Sequence, residues 1–88
     1  MKIVINCTFG GFGVPDEVCD KLGCETFDDD RQIRTSKELI DWVNAHPMND
    51  GLVVVDIPDE ATDFVIHEYD GKEWIDVVVD GKIIVMEG

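Results

Sequence analysis

Two Asp-Gly pairs, Asp70-Gly71 and Asp80-Gly81, lie ten residues apart between β-branched and aromatic runs, and they constrain this chain more than any other feature. An Asp-Gly pair tolerates positive φ at both positions, which is what a two-residue type I′ turn requires. Residues 64–69, 72–79 and 82–86 are therefore expected to form three consecutive antiparallel strands. Such short turns also fix the register. Tyr69 should face Lys72, Glu68 should face Glu73, His67 should face Trp74, Ile66 should face Ile75 and Phe64 should face Val77. In the second hairpin Val78 should face Ile83, Val77 should face Ile84 and Ile75 should face Met86.

That register sorts the side chains onto two faces. Phe64, Ile66, Ile75, Val77, Ile84 and Met86 share one, which is expected to pack on the helices. Val65, His67, Tyr69, Trp74, Val78, Ile83 and Val85 share the other, with Asp76 among them. This second face carries more apolar surface than a solvated sheet needs. Either the acidic loops cover it, or it is a contact surface, with His67, Tyr69 and Trp74 as interface candidates for a partner or a second copy.

The rest of the chain supplies two further strands and two short helices. Residues 2–7 open with the β-branched run Ile3-Val4-Ile5, a buried strand. After the turn Gly10-Gly11-Phe12-Gly13, Pro15 suits a first helical position and Asp16 and Glu17 suit the first turn. Val14, Val18 and Leu22 make one apolar stripe, and Gly23 is the stop. Residues 24–34 read as an acidic connection. Thr35, three residues before Glu38, reads as a capping box for a helix that runs to about Ala45, with Leu39, Trp42 and Val43 inward and His46 at its end. Residues 52–57 form an inner strand broken by Pro58. The expected architecture is α+β in one domain over residues 1–88: a mostly antiparallel sheet of about five strands with two short helices on one face.

Charge bounds the function classes. With 20 acidic against 7 basic residues the formal net charge is −13. A direct nucleic-acid binder needs a basic footprint, and an anionic membrane surface also selects for one, so both are disfavoured. No apolar run approaches the ~20 residues that span a bilayer. The surplus of carboxylates serves solubility, or it presents acid to a protein whose own groove is basic. Cys7, Cys19 and Cys24 cannot all pair with one another and have no metal-ligand spacing with His46 or His67. They read as reduced thiols, with a reactive Cys19 near a helix start as the alternative. No cofactor, metal site or catalytic constellation is expected.

Two motifs invite chemistry weakly. The glycine turn between a strand and a helix resembles a phosphate cradle, but it has no G-x-G-x-x-G and no lysine, and Asp16 and Glu17 oppose an anion there. A turn that uses glycine for positive φ and close packing is the simpler reading. Glu68 opposite Glu73 is a like-charge pair, expected to be exposed at a hairpin end.

Lys2-Ile3-Val4-Ile5-Asn6 leading into Gly10-Gly11-Phe12-Gly13 and Asp16-Glu17 resembles the opening of a family of small phage and prophage proteins. Arg34 and the helix after it continue the likeness, as do Val55-Asp56-Ile57-Pro58-Asp59 and residues 66–75, Ile66-His67-Glu68-Tyr69-Asp70-Gly71-Lys72-Glu73-Trp74-Ile75. The chain departs from the pattern at Pro15, in its shorter and more acidic connection, and in its second Asp-Gly hairpin. The resemblance implies a mobile-element protein in the cytoplasm of a bacterial host and supplies no catalytic residues. Together with the charge it leads to an expectation of a non-enzymatic accessory protein. Such a protein would inhibit a bacterial nucleic-acid-handling or defence protein by nucleic-acid mimicry, as anti-CRISPR proteins do. Asp28, Asp29, Asp30, Asp56, Asp59, Glu60 and Asp63 are the expected contacts to the basic groove. A nucleotide-sequestering protein and a structural homo-oligomer built through the second sheet face are the alternatives.

Overall fold

Three consecutive strands with I′ turns form as the Asp-Gly pairs dictate. In the computed structural model, which describes residues 1–86, Asp70 and Asp80 hold φ of 52° and 51° and are followed by Gly71 and Gly81 at 91° and 75°. Strands β3 (Asp63–Tyr69), β4 (Lys72–Val79) and β5 (Lys82–Met86) make one antiparallel sheet in the order β3-β4-β5. Every pairing anticipated from the turns is present, from Tyr69 with Lys72 to Ile75 with Met86.

The other two strands, β1 (Lys2–Asn6) and β2 (Leu52–Asp56), pair antiparallel with each other and, among the described residues, with no other strand. The five strands therefore divide into a ribbon of two and a sheet of three, instead of the single sheet expected. The cause is visible in β1, where Ile3, Val4 and Ile5 are all fully buried. Successive side chains of a strand point to opposite sides, so a strand apolar on both faces needs a layer against each. Ile3 and Ile5, with Val55 and Ile57, pack on Ile75 and Val77 of the three-stranded sheet. Val4 faces the other way, into a second cluster with Val14, Val18, Leu39 and Val43 from the helical side. Full burial of each such side chain contributes about 1.5–3 kcal/mol. The ribbon is thus the middle layer. The inner face of the three-stranded sheet meets the ribbon, where the helices were expected.

Three helices, not two, form the outer layer. Helix α1 (Asp16–Leu22) ends on Gly23, left-handed at φ 69°. Helix α3 (Lys37–Ala45) starts one residue later than the Thr35 capping box implied: Ser36 is its cap and accepts from Leu39 N. Thr35 instead closes a helix the sequence reading missed, α2 (Arg31–Arg34), by donating its hydroxyl to the Arg31 carbonyl. This single turn is capped by Asp30, whose Oδ1 accepts from Ile33 N at 3.0 Å. Its length left no apolar period to detect.

Candidate interaction surfaces

A buried polar site is built on that short helix. Arg34 is only 2% exposed, and all of its nitrogens find acceptors. Nε donates to the Asp29 carbonyl at 2.7 Å, Nη1 to Glu73 Oε1 at 2.9 Å and to the Val4 carbonyl at 3.1 Å, and Nη2 to Glu73 Oε2 at 2.7 Å. The Phe12 ring covers the guanidinium, 4.0 Å from Cζ to the ring centroid. Glu73 Oε1 also accepts from Asn6 N at 2.8 Å. Glu68 does stand opposite Glu73 as expected, but Glu73 is buried beneath Arg34, so the two are not the exposed pair expected. Glu68 stays at the surface, accepting from Gly71 N. A signal for this was present in the register, which puts Glu73 on the face of Ile75 and Val77, where a carboxylate needs a partner.

The glycine turn belongs to the same assembly. Asn6 Nδ2 donates to the carbonyls of Thr8 and Gly71, joining the end of β1 to the first hairpin turn. A Cβ on Gly71 would overlap the backbone of Gly10 and Gly11. Gly10 and Gly11 themselves hold φ of 145° and 91°. The loop is spent on close backbone packing and positive φ, which is the simpler of its two sequence readings. Four residues from segments that carried the family resemblance thus meet at one place: Asn6, Phe12, Arg34 and Glu73 are linked, with Gly71 beside them, while the Val55–Asp59 segment lies elsewhere.

The seven carboxylates expected to meet a basic groove are dispersed. Asp29 and Asp30 line an open cleft of about 550 Å³ with Arg31, Ile66 and Glu68. Asp59 and Asp63 line a neighbouring one of about 340 Å³, and Arg31 lies between the two, its Cζ 4.2 Å from the Phe64 ring centroid. Asp56 and Asp59 face the Met1 amino group at 3.8 and 3.6 Å. Glu60 is exposed in the turn that precedes β3. Three of the seven have local structural duties. Asp28 Oδ2 accepts from Glu25 N, Asp30 caps α2, and Asp63 Oδ1 accepts from Phe64 N. Asp29 and Glu60 have exposed side chains without such a duty, and Asp56 and Asp59 are exposed with the Met1 amino group as their local partner.

The second face of the three-stranded sheet is open. The acidic loops leave Val65, Tyr69, Ile83 and Val85 exposed by 48%, 71%, 69% and 57%. His67 and Trp74 stack across strands with ring centroids 5.5 Å apart, and His67 Nε2 lies 2.8 Å from Asp76 Oδ2. Of the three interface candidates Tyr69 is the most exposed, while His67 and Trp74 are half-buried against each other.

Among the thiols, Cys19 is buried and its Sγ lies 3.7 Å from the Val14 carbonyl. Burial, then the neighbouring Cys24, push the Cys19 thiol up to about 11. It stays protonated at neutral pH, the opposite of an activated cysteine. At the end of α3, His46 stacks on Trp42 and its Nδ1 lies 2.7 Å from the Trp42 carbonyl, so it serves as a helix end. Among the described residues no helix is long and apolar enough to cross a membrane. No protein-family model matches the chain, and neither a curated protein nor a solved structure matches it.

Proposed function

We propose that this chain is an acidic binding protein that presents carboxylates to the basic groove of a bacterial nucleic-acid-handling or defence protein and so keeps nucleic acid out. The observation that carries this reading is the distribution of charge. Arg34 and Glu73 cancel each other inside the fold, so the whole net charge of −13 is carried outside that pair. Two more of the seven cations are occupied at the surface: Lys37 by Asp41 at 2.6 Å, and Arg31 by the Phe64 ring and carbonyl. Fields of this sign speed encounter with a basic surface and repel anions. The phage setting rests on the sequence resemblance.

The test is capture from nuclease-treated bacterial lysate over a salt series, followed by inhibition of the captured protein's nucleic-acid binding. The expected partner is a nucleic-acid-binding protein released as salt rises. Reversal of Asp29, Asp56, Asp59 and Glu60 to Lys should abolish capture with little change in the urea midpoint, because none of these four side chains caps or closes a turn. Capture that survives the reversals would refute the reading.

A further inference from the structure

The two edges of the three-stranded sheet are treated differently. On β3 the edge is engaged by α2: Arg31 Nη2 donates to the Phe64 carbonyl at 3.3 Å, and the guanidinium lies over the Phe64 ring. On β5 nothing comparable is present. Among the described residues this strand pairs only with β4, and residues 82–85 are exposed one after another. Ile83 and Val85 point to the open face, while Ile84, on the inner face, is still 46% exposed. Natural edge strands are protected by proline, bulges, inward charges or a covering loop. Among the described residues, apart from Lys82 at its start, β5 has none of these.

The turn geometry shows which main-chain groups the edge offers. In a two-residue hairpin the residues flanking the turn, Val79 and Lys82, form a hydrogen-bonded pair, so Lys82, Ile84 and Met86 direct their N–H and C=O toward β4. Ile83 and Val85 direct theirs outward. A strand with two outward residues placed symmetrically about Ile84 is self-complementary under a two-fold axis. An antiparallel copy brings Ile83 opposite Val85 of the second copy and Val85 opposite its Ile83. Each pair exchanges two N–H···O bonds, and the two Ile84 side chains face each other across the axis.

The two-fold self-complementarity of this edge selects a second copy over other occupants, and the strand's own composition permits it. The chain is −13, yet β5 is Lys-Ile-Ile-Val-Met, without an acidic residue. A basic partner has nothing to recognise on this strand, whereas a second copy offers an apolar, acid-free edge of the same length. From this geometry we infer that two copies join through β5 in an isologous antiparallel pairing centred on Ile84, making one continuous six-stranded sheet. The acidic clefts beside β3 lie at the far edge of each sheet, so the pairing leaves them free and makes their presentation bivalent. The inference stands independently of the proposed target.

An edge contact of five residues is small, so association in the micromolar range is expected. Sedimentation equilibrium on the full chain, from about 1 μM to about 1 mM, should show the mass doubling. Dimerisation should tighten as salt screens two copies of like charge, the reverse of the salt response expected for the basic partner. Val85→Pro removes an outward N–H without removing a β4–β5 bond and should weaken the dimer at least tenfold. Ile84→Lys and Ile84→Glu should each stay at single-chain mass, by like-charge repulsion across the axis, and their equimolar mixture should return to the doubled mass. Circular dichroism of each variant checks that the fold persists. A single-chain mass at about 1 mM in high salt overturns the proposal. So does a dimer indifferent to Val85→Pro, or a Lys/Glu mixture that fails to associate while both variants are folded.

Discussion

The two faces of β4 are built on opposite logic. Glu73, Ile75 and Val77 point inward and are 6%, 0% and 0% exposed, while Trp74, Asp76 and Val78 point outward beside the open Val65, Ile83 and Val85. The sheet therefore hides a carboxylate and displays hydrocarbon. Residue type alone would have predicted the reverse. What decides is the layer opposite. Glu73 can be buried because Arg34 and Asn6 N satisfy both carboxylate oxygens, and the valines outside stay open because no layer covers them.

The comparison is broken most forcefully at its charged end. Glu73→Ala should leave the Arg34 guanidinium buried without its anion and Asn6 N without an acceptor, at a cost of about 3–5 kcal/mol. Against the ~5–15 kcal/mol that holds a domain together, this is enough to unfold a sizeable fraction of molecules at 37 °C. Replacing both partners, Arg34→Met with Glu73→Leu, should recover at least half of the loss, because no charge is then stranded. Urea denaturation of the two variants measures this. A double variant no more stable than Glu73→Ala would show that the individual hydrogen bonds matter and that the charge pair is not the unit.

A second contrast is internal to the two turns, which have the same sequence. Gly71 presses on the backbone of Gly10 and Gly11, whereas a Cβ on Gly81 would meet nothing within 4 Å. Gly81→Ala should therefore cost only the left-handed backbone penalty, about 1 kcal/mol. Gly71→Ala adds a clash with main chain that has no flexible side chain to yield, and should cost at least ~2 kcal/mol. Equal losses at the two positions would mean that the loop at Gly10 and Gly11 moves aside freely.

This pair of turns also explains what could be read from the sequence. The hairpins, their register, α1, α3 and the inner and outer rows of the sheet were legible because each rests on local rules: turn chemistry, alternation and capping. The stacking of the ribbon over the sheet was not legible, since it depends on which layers meet, and the run Ile3-Val4-Ile5 is compatible with a buried strand in either arrangement. Helix α2 was lost because one turn carries no period. With it went Arg34, the partner of Glu73, even though Glu73 already stood at an inward position. The expected carboxylate site fared differently again. Charge alone marks its residues, and charge does not reveal that Asp28 closes a turn on Glu25 N, that Asp30 caps α2 and that Asp63 holds the Phe64 N–H at the start of β3.

The smallest expected effect lies on the open face. Ile83→Thr and Val85→Thr keep a β-branched side chain on an exposed strand, so each should shift stability by no more than ~0.5 kcal/mol when measured near 1 μM, where chains are separate. Ile75→Ala, one strand away and pointing inward, should cost about 2–5 kcal/mol under the same conditions. The contrast sharpens on raising the protein concentration. If β5 pairs with a second copy, the wild-type melting temperature rises with concentration. In Ile83→Thr and Val85→Thr the main-chain groups at the edge are intact, so their melting temperatures should rise as well, though less. A loss above ~1.5 kcal/mol at 1 μM from either threonine variant would contradict the comparison itself, because it would mean that the outer row of β5 is already packed within a single chain.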